Sequence, residues 1–100
     1  MASDIEHPAE TDLCLDGVLR ALADPDRRAI LTTLRTAETL CSALLPDRPR
    51  STVSVHLKVL RAAGLIEQRR QGKAILNSLR SDGAAARYPE IVHAITSADG

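Results

Sequence analysis

From position 50 to 61 the chain reads RSTVSVHLKVLR. Val53, Leu57 and Leu60 recur at i, i+4 and i+7, the apolar stripe of one helix. The other faces then carry Ser51, Thr52, Ser54, Val55, His56, Lys58 and Arg61. Short hydroxyl side chains let a helix approach a base edge closely and can donate or accept there, while an apolar group such as Val55 suits a thymine methyl. Arg50, Lys58 and Arg61 stand at the rim, where cations meet phosphates, and Arg48 precedes them. The start of such a helix also offers backbone N–H groups to an anion. A second basic element follows: Arg69, Arg70 and Lys73 surround Gly72. A glycine turn with three cations is a poor core and a good contact for a nucleic-acid backbone or minor groove. The alternative for both elements is a solvated surface.

Other chemistry finds less support. No glycine-rich phosphate loop, paired His/Cys spacing or nucleophile elbow occurs, so the residues do not suggest an enzyme. Cys14 and Cys41 are too few for a disulfide framework. A soft metal or arsenite needs two or more thiolates, and an oxidant could join the two thiols only if their Cα atoms come within about 7 Å. The plainer reading of Cys41, on the apolar face of its expected helix, is a small hydrophobe. His7 and His93 read as surface histidines, with His93 a weak third sensor candidate. No cofactor is required; a regulatory metal ion or oxidant remains an open effector.

These residues need elements to hold them. Leu15, Val18, Leu19 and Leu22 form the stripe of a first helix, with Thr11 as the expected cap. Asp24-Pro25 ends it and starts a second, whose apolar face is Ile30, Leu31 and Leu34. Ala37, Leu40, Cys41 and Leu44 suggest a short third helix, and Pro46 and Pro49 bracket a turn. The fourth helix spans about 51–63, with Gly64 as its C-terminal cap. Segments 65–70 and 74–79 about Gly72 read as a β-hairpin. A break at 81–83 precedes a last helix after Pro89 with Ile91, Ala94, Ile95 and Ala98 on one face. The expected fold is mainly α with a small β-hairpin: a winged helix-turn-helix, dimeric.

One hundred residues bound this to one domain, with 1–10 as a mobile N-terminal arm and 11–98 as the DNA-binding and dimerisation unit. Tyr88 is the only aromatic residue, so aliphatic side chains must build a small core, and an apolar face left over for a second copy is plausible. Formal charge is zero but uneven. Positions 1–16 carry five carboxylates and no cation, whereas 48–73 carry seven cations against Glu67. The acidic start without an apolar run is not a signal peptide, and no apolar stretch is long enough to span a membrane, which points to the cytoplasm.

The segments LRALADPDRRAIL (19–31) and STVSVHLKVLRAAGLI (51–66), with the RRQGK wing, resemble ArsR/SmtB-type repressors over about residues 15–97. That resemblance implies a homodimeric regulator of double-stranded DNA reading a near-palindromic operator. It implies that Leu15, Val18, Leu19 and Leu22 pack across the two-fold with Ile91 and Ile95; the alternative is that these stripes close the monomer core. Three departures stand out. Val55 occupies a position where a polar residue is common, the 46–50 turn is about two residues longer than usual, and no aromatic pair follows the wing. The family's metal-site patterns are incomplete here: Cys41 lacks its second cysteine, and His93 has only Glu90 and Asp99 nearby in sequence. An effectorless or co-regulator-dependent winged helix, or one that binds protein, are the competing readings.

Overall fold

The computed structural model describes residues 5–97. Helix α1 (Leu15–Leu22) is followed by α2 (Pro25–Thr36), a two-residue strand β1 (Thr39–Leu40), and α3 (Arg50–Ala62). The hairpin strands β2 (Ile66–Gln71) and β3 (Ala74–Leu79) lead to α4 (Ala84–Arg87) and α5 (Pro89–Thr96). The sheet has the order β1-β3-β2 and is antiparallel throughout.

The helix stops foreseen at Asp24 and Gly64 hold. The Asp24 carboxylate accepts from the Asp26 and Arg27 backbone N–H groups at 2.8 and 3.2 Å, with Pro25 opening α2. Past the end of α3, Gly64 has a φ of +77°, and Leu65 N–H bonds back to Leu60 O at 3.0 Å, the Schellman arrangement. A side chain at Gly64 would run into Leu13 as well as being strained. Its carbonyl accepts from Ala84 N–H at 2.9 Å, tying the start of α4 to the turn after α3.

Three expectations need correction. Segment 37–44 is not a helix: Thr39 and Leu40 pair with Asn77 and Leu76, and only Cys41–Ala43 makes a single 3-10 turn. The hairpin supplies a sheet edge that outweighs local helical spacing, while Leu44 stays buried as the periodicity required. Thr11 does not cap α1. It lies in a 3-10 turn, Glu10–Asp12, and the Cys14 sulfur accepts from Gly17 N–H at 3.4 Å instead. Residues 5–10, expected as a mobile arm, lie on the hairpin base: Gln68 N–H donates to His7 Nε2 at 3.0 Å, and Arg80 donates to Pro8 O at 2.7 Å. Positions 1–4 of that arm, and Ala98 of the last stripe, lie outside the described residues.

One aliphatic cluster joins all the layers, centred on Ile30, Leu31, Leu44, Leu60 and Ile66. Burying each such side chain stabilises the fold by about 1.5–3 kcal/mol. Val18 and Leu22 belong to this cluster, so half of the α1 stripe closes the monomer and is not available to a second copy. Leu15 and Leu19 remain 41% and 45% exposed, and Ile91 and Ile95 are half-buried. Among the described residues no helix is long and apolar enough to cross a membrane.

Candidate nucleic-acid interface

Helix α3 lays Val53, Leu57 and Leu60 on the core, and this orientation turns Ser51, Ser54, Val55 and Lys58 to solvent; Thr52 is half-buried. Val55 is 59% exposed, a large apolar side chain held in water on an otherwise polar face. The hairpin closes through Gly72-Lys73 between the paired residues Gln71 and Ala74. Gly72 takes a φ of +65° at the first loop position, the geometry of a type II′ turn, which lifts Lys73 to the tip. Lys58 and Lys73 form no ion pair among the described residues.

His56, expected on that outer face, is 9% exposed and points inward. Arg27 Nη1 lies 3.3 Å from its Nδ1. An arginine can only donate, so Nδ1 is the acceptor and the proton sits on Nε2, directed at Asp26 Oδ2 3.8 Å away. Asp24, Asp26 and His56 bring possible ligand atoms within 4.8 Å of one another. This tautomer presents an N–H rather than a lone pair to the two carboxylates, and Asp26 is already held by Arg48 at 2.9 and 3.2 Å. The group therefore works as a polar lock between α2 and α3.

Arg27 is a residue that sequence reading passes over. Its Nε donates to Ala21 O at 2.7 Å and its Nη2 to Arg20 O at 3.0 Å, while Arg28 donates to Leu22 O at 2.8 Å. The two arginines satisfy the last carbonyls of α1, and Arg27 also reaches α3. The available signal was the pair of arginines directly after an Asp-Pro helix start. Burial acts to raise the Asp24 pKa, yet the Arg27 and Asp26 backbone N–H bonds outweigh it. With smaller help from His56 and Arg27 they hold the carboxyl below its usual range.

Several expected phosphate contacts are committed elsewhere. Arg48 is bound to Asp26, whose hydrogen bond and charge raise its pKa. Arg50 collects the carbonyls of Cys41, Leu45 and Arg48, tying down the long turn in which Leu45 takes a φ of 46°. Arg69 pairs with Glu38 at 2.7 Å, and that contact raises its pKa too. Arg61 Nη1 donates to Gln68 Oε1 at 2.6 Å. Gln68 in turn donates to Asn77 Oδ1 at 2.8 Å, and Asn77 Nδ2 donates to Thr39 O at 3.0 Å and to the Cys41 sulfur at 3.2 Å. This buried amide pair, unmarked in the sequence, binds α3, β1 and the hairpin into one body.

The sensor candidates stand in different surroundings. Cys14 is exposed at the start of α1, Cys41 is half-buried beside Asn77, and His93 is exposed on α5 near Ser97. Among the described residues, none of the three joins a group of three metal-ligand side chains.

A helix packed under a second helix that offers a hydroxyl-rich face, followed at once by a cation-tipped hairpin, defines a winged helix-turn-helix protein. A helix-turn-helix domain family matches residues 22–69. The chain is 41% identical over 64 residues to the HTH-type transcriptional repressor SmtB of Mycobacterium tuberculosis, covering 62% of this chain and 47% of that protein. It therefore spans about half the length of that relative. Its structure resembles NolR from Sinorhizobium fredii, with a TM-score of 0.66, 32% identity and coverage of 84% of this chain and 85% of that one. It also resembles an ArsR family transcriptional regulator, with a TM-score of 0.67, 27% identity and coverage of 79% and 84%. These likenesses make the chain similar to ArsR/SmtB-type winged helix-turn-helix transcription regulators.

Proposed function

We propose that this chain is a homodimeric transcriptional repressor that binds a near-palindromic operator in duplex DNA. Helix α3 enters the major groove and the β2–β3 wing meets the backbone. The observation that carries this reading is the exposed run Ser51, Ser54, Val55 and Lys58 on α3, next to a hairpin whose tip is Lys73. A protein-binding winged helix would expose apolar side chains on that helix, and Val55 is the only large one there. The name of the mycobacterial relative supports repression rather than activation.

In this reading the two-fold uses the exposed Leu15 and Leu19 of α1 together with the half-buried Ile91 and Ile95 of α5. Two recognition helices then fall about one turn of DNA apart. A metal or oxidant effector acting through Cys14, Cys41 or His93 would have to draw further ligands from the second copy.

The test is fluorescence anisotropy of the reduced protein on DNA upstream of its own gene against a scrambled duplex. Preference for the native duplex, weakening steeply with salt, is the expected result. Equal affinity for both duplexes across the upstream region would overturn the reading.

A further inference from the structure

The recognition helix and the wing do not close on each other. Between them lies a cleft of about 500 Å³, within the range of small-molecule sites. Its lining includes Arg50, Lys58, Arg61 and Lys73 and no carboxylate. Behind these cations Leu40, Val53, Leu57, Ala74 and Ile75 give the lining an apolar part, interrupted by Ser42, Ser54 and Gln68. Nucleic-acid phosphates would use the cations but have no use for the apolar interior. An occupant that satisfies both has an anionic head and a hydrophobic body.

We propose that this cleft binds a small amphipathic carboxylate, with its hydrocarbon against Val53, Leu57 and Ile75 and its carboxylate between Lys58 and Lys73. Arg50 and Arg61 already serve carbonyl and amide partners, so they add positive field rather than the primary contacts. Lys58 and Lys73 form no ion pair among the described residues, so a carboxylate gains them without breaking an existing one. The same two lysines are the wing and helix cations of the proposed DNA face. Ligand and DNA therefore compete, and the carboxylate acts as an inducer; this regulatory part rests on the DNA reading above.

The experiment has two arms that fail separately. In the first, without DNA, octanoate is titrated below its micellar range into uniformly labelled protein and followed by amide and methyl NMR. 1-Octanol and inorganic phosphate serve as the body-only and head-only probes. Saturable shifts at Val53, Leu57, Ala74 and Ile75 with octanoate, and much weaker ones with either control, are expected. Replacing one lysine, Lys58→Met or Lys73→Met, should weaken octanoate by about tenfold, the loss of one charge-assisted contact. Equal binding of octanol, or shifts confined to the apolar pocket between Leu31, Leu79 and Val92, overturns the site. In the second arm, octanoate should displace operator DNA at the concentration that saturates the cleft. If DNA binds and saturating octanoate leaves it bound, the inducer role is overturned. If octanoate binds and no DNA does, the cleft stands and the DNA reading fails.

Discussion

Arg61 and Gln68 are joined by a 2.6 Å hydrogen bond that links the last turn of the recognition helix to the base of the wing. The Gln68 amide is buried, and its other end is spent on Asn77. Helix and wing are thus set relative to one another by a side chain that touches neither the exposed face nor the hairpin tip. Gln68→Leu should leave the buried Asn77 carbonyl oxygen without its donor and cost about 1–3 kcal/mol in urea denaturation. Adding Asn77→Leu should recover part of that loss, because two apolar partners leave less buried polarity unsatisfied. Additive losses in the double variant would show that the amide pair is not an energetic unit.

The acid limb of stability should carry the signature of Asp24. Its carboxyl is held below the usual range in the folded chain by two backbone N–H groups. A depressed carboxyl stabilises the fold above the unfolded value of about 3.9 and loses that contribution as pH falls through the lower folded value. Asp24→Ala should cost about 1 kcal/mol at neutral pH through loss of the cap, and Asp24→Asn much less. Urea midpoints measured from neutral pH down to acid should fall less steeply for Asp24→Ala than for the parent. Parallel curves would remove Asp24 from the acid transition.

How much of this was legible in the residues follows from the range of each signal. Asp24-Pro25, Gly64 and Gly72 act on their own turn of chain, so the helix start, the helix stop and the hairpin could be read directly. The β1 strand could not, because its partner β3 is supplied by distant sequence, and the local spacing at 37–44 favours a helix. His56 departs from its expected outer face for a related reason. It lies three residues after Val53 and four before Leu60, at the edge of the buried stripe, and its polarity pointed outward. Arg27 and Asp26, distant in the chain, turn that edge into an interior position. The basic residues were found as a set, but their composition could not say which are spent on Asp26, Glu38, Gln68 or backbone carbonyls.

The two halves of the α1 stripe should separate in solution. Leu22 is buried within the monomer, and Leu22→Ala should lower stability by about 2–5 kcal/mol whatever the protein concentration. Leu19 is 45% exposed, and Leu19→Glu should leave the far-ultraviolet spectrum intact while shifting sedimentation from dimer to monomer. A Leu19→Glu protein that sediments like the parent would place the two-fold elsewhere.

On DNA, the cations should differ according to how they are already engaged. Lys73 and Lys58 form no ion pair among the described residues, so alanine at either should weaken specific and scrambled duplexes alike. Each substitution should reduce the log–log salt slope by about 0.9 if it removes one phosphate contact. Arg69 is bound to Glu38, so Arg69→Ala should change the slope less, and Glu38→Gln should raise affinity by releasing the guanidinium. Ser54 is exposed on α3 and uncharged; Ser54→Ala should keep the salt slope and narrow the gap between operator and scrambled DNA, by about 1–3 kcal/mol at the base pair it reads. The two measurements answer different questions, because phosphate contacts fix register while base contacts carry sequence. An unchanged gap for Ser54→Ala would move base reading to other residues of α3, with the exposed Val55 on a thymine methyl the next to test.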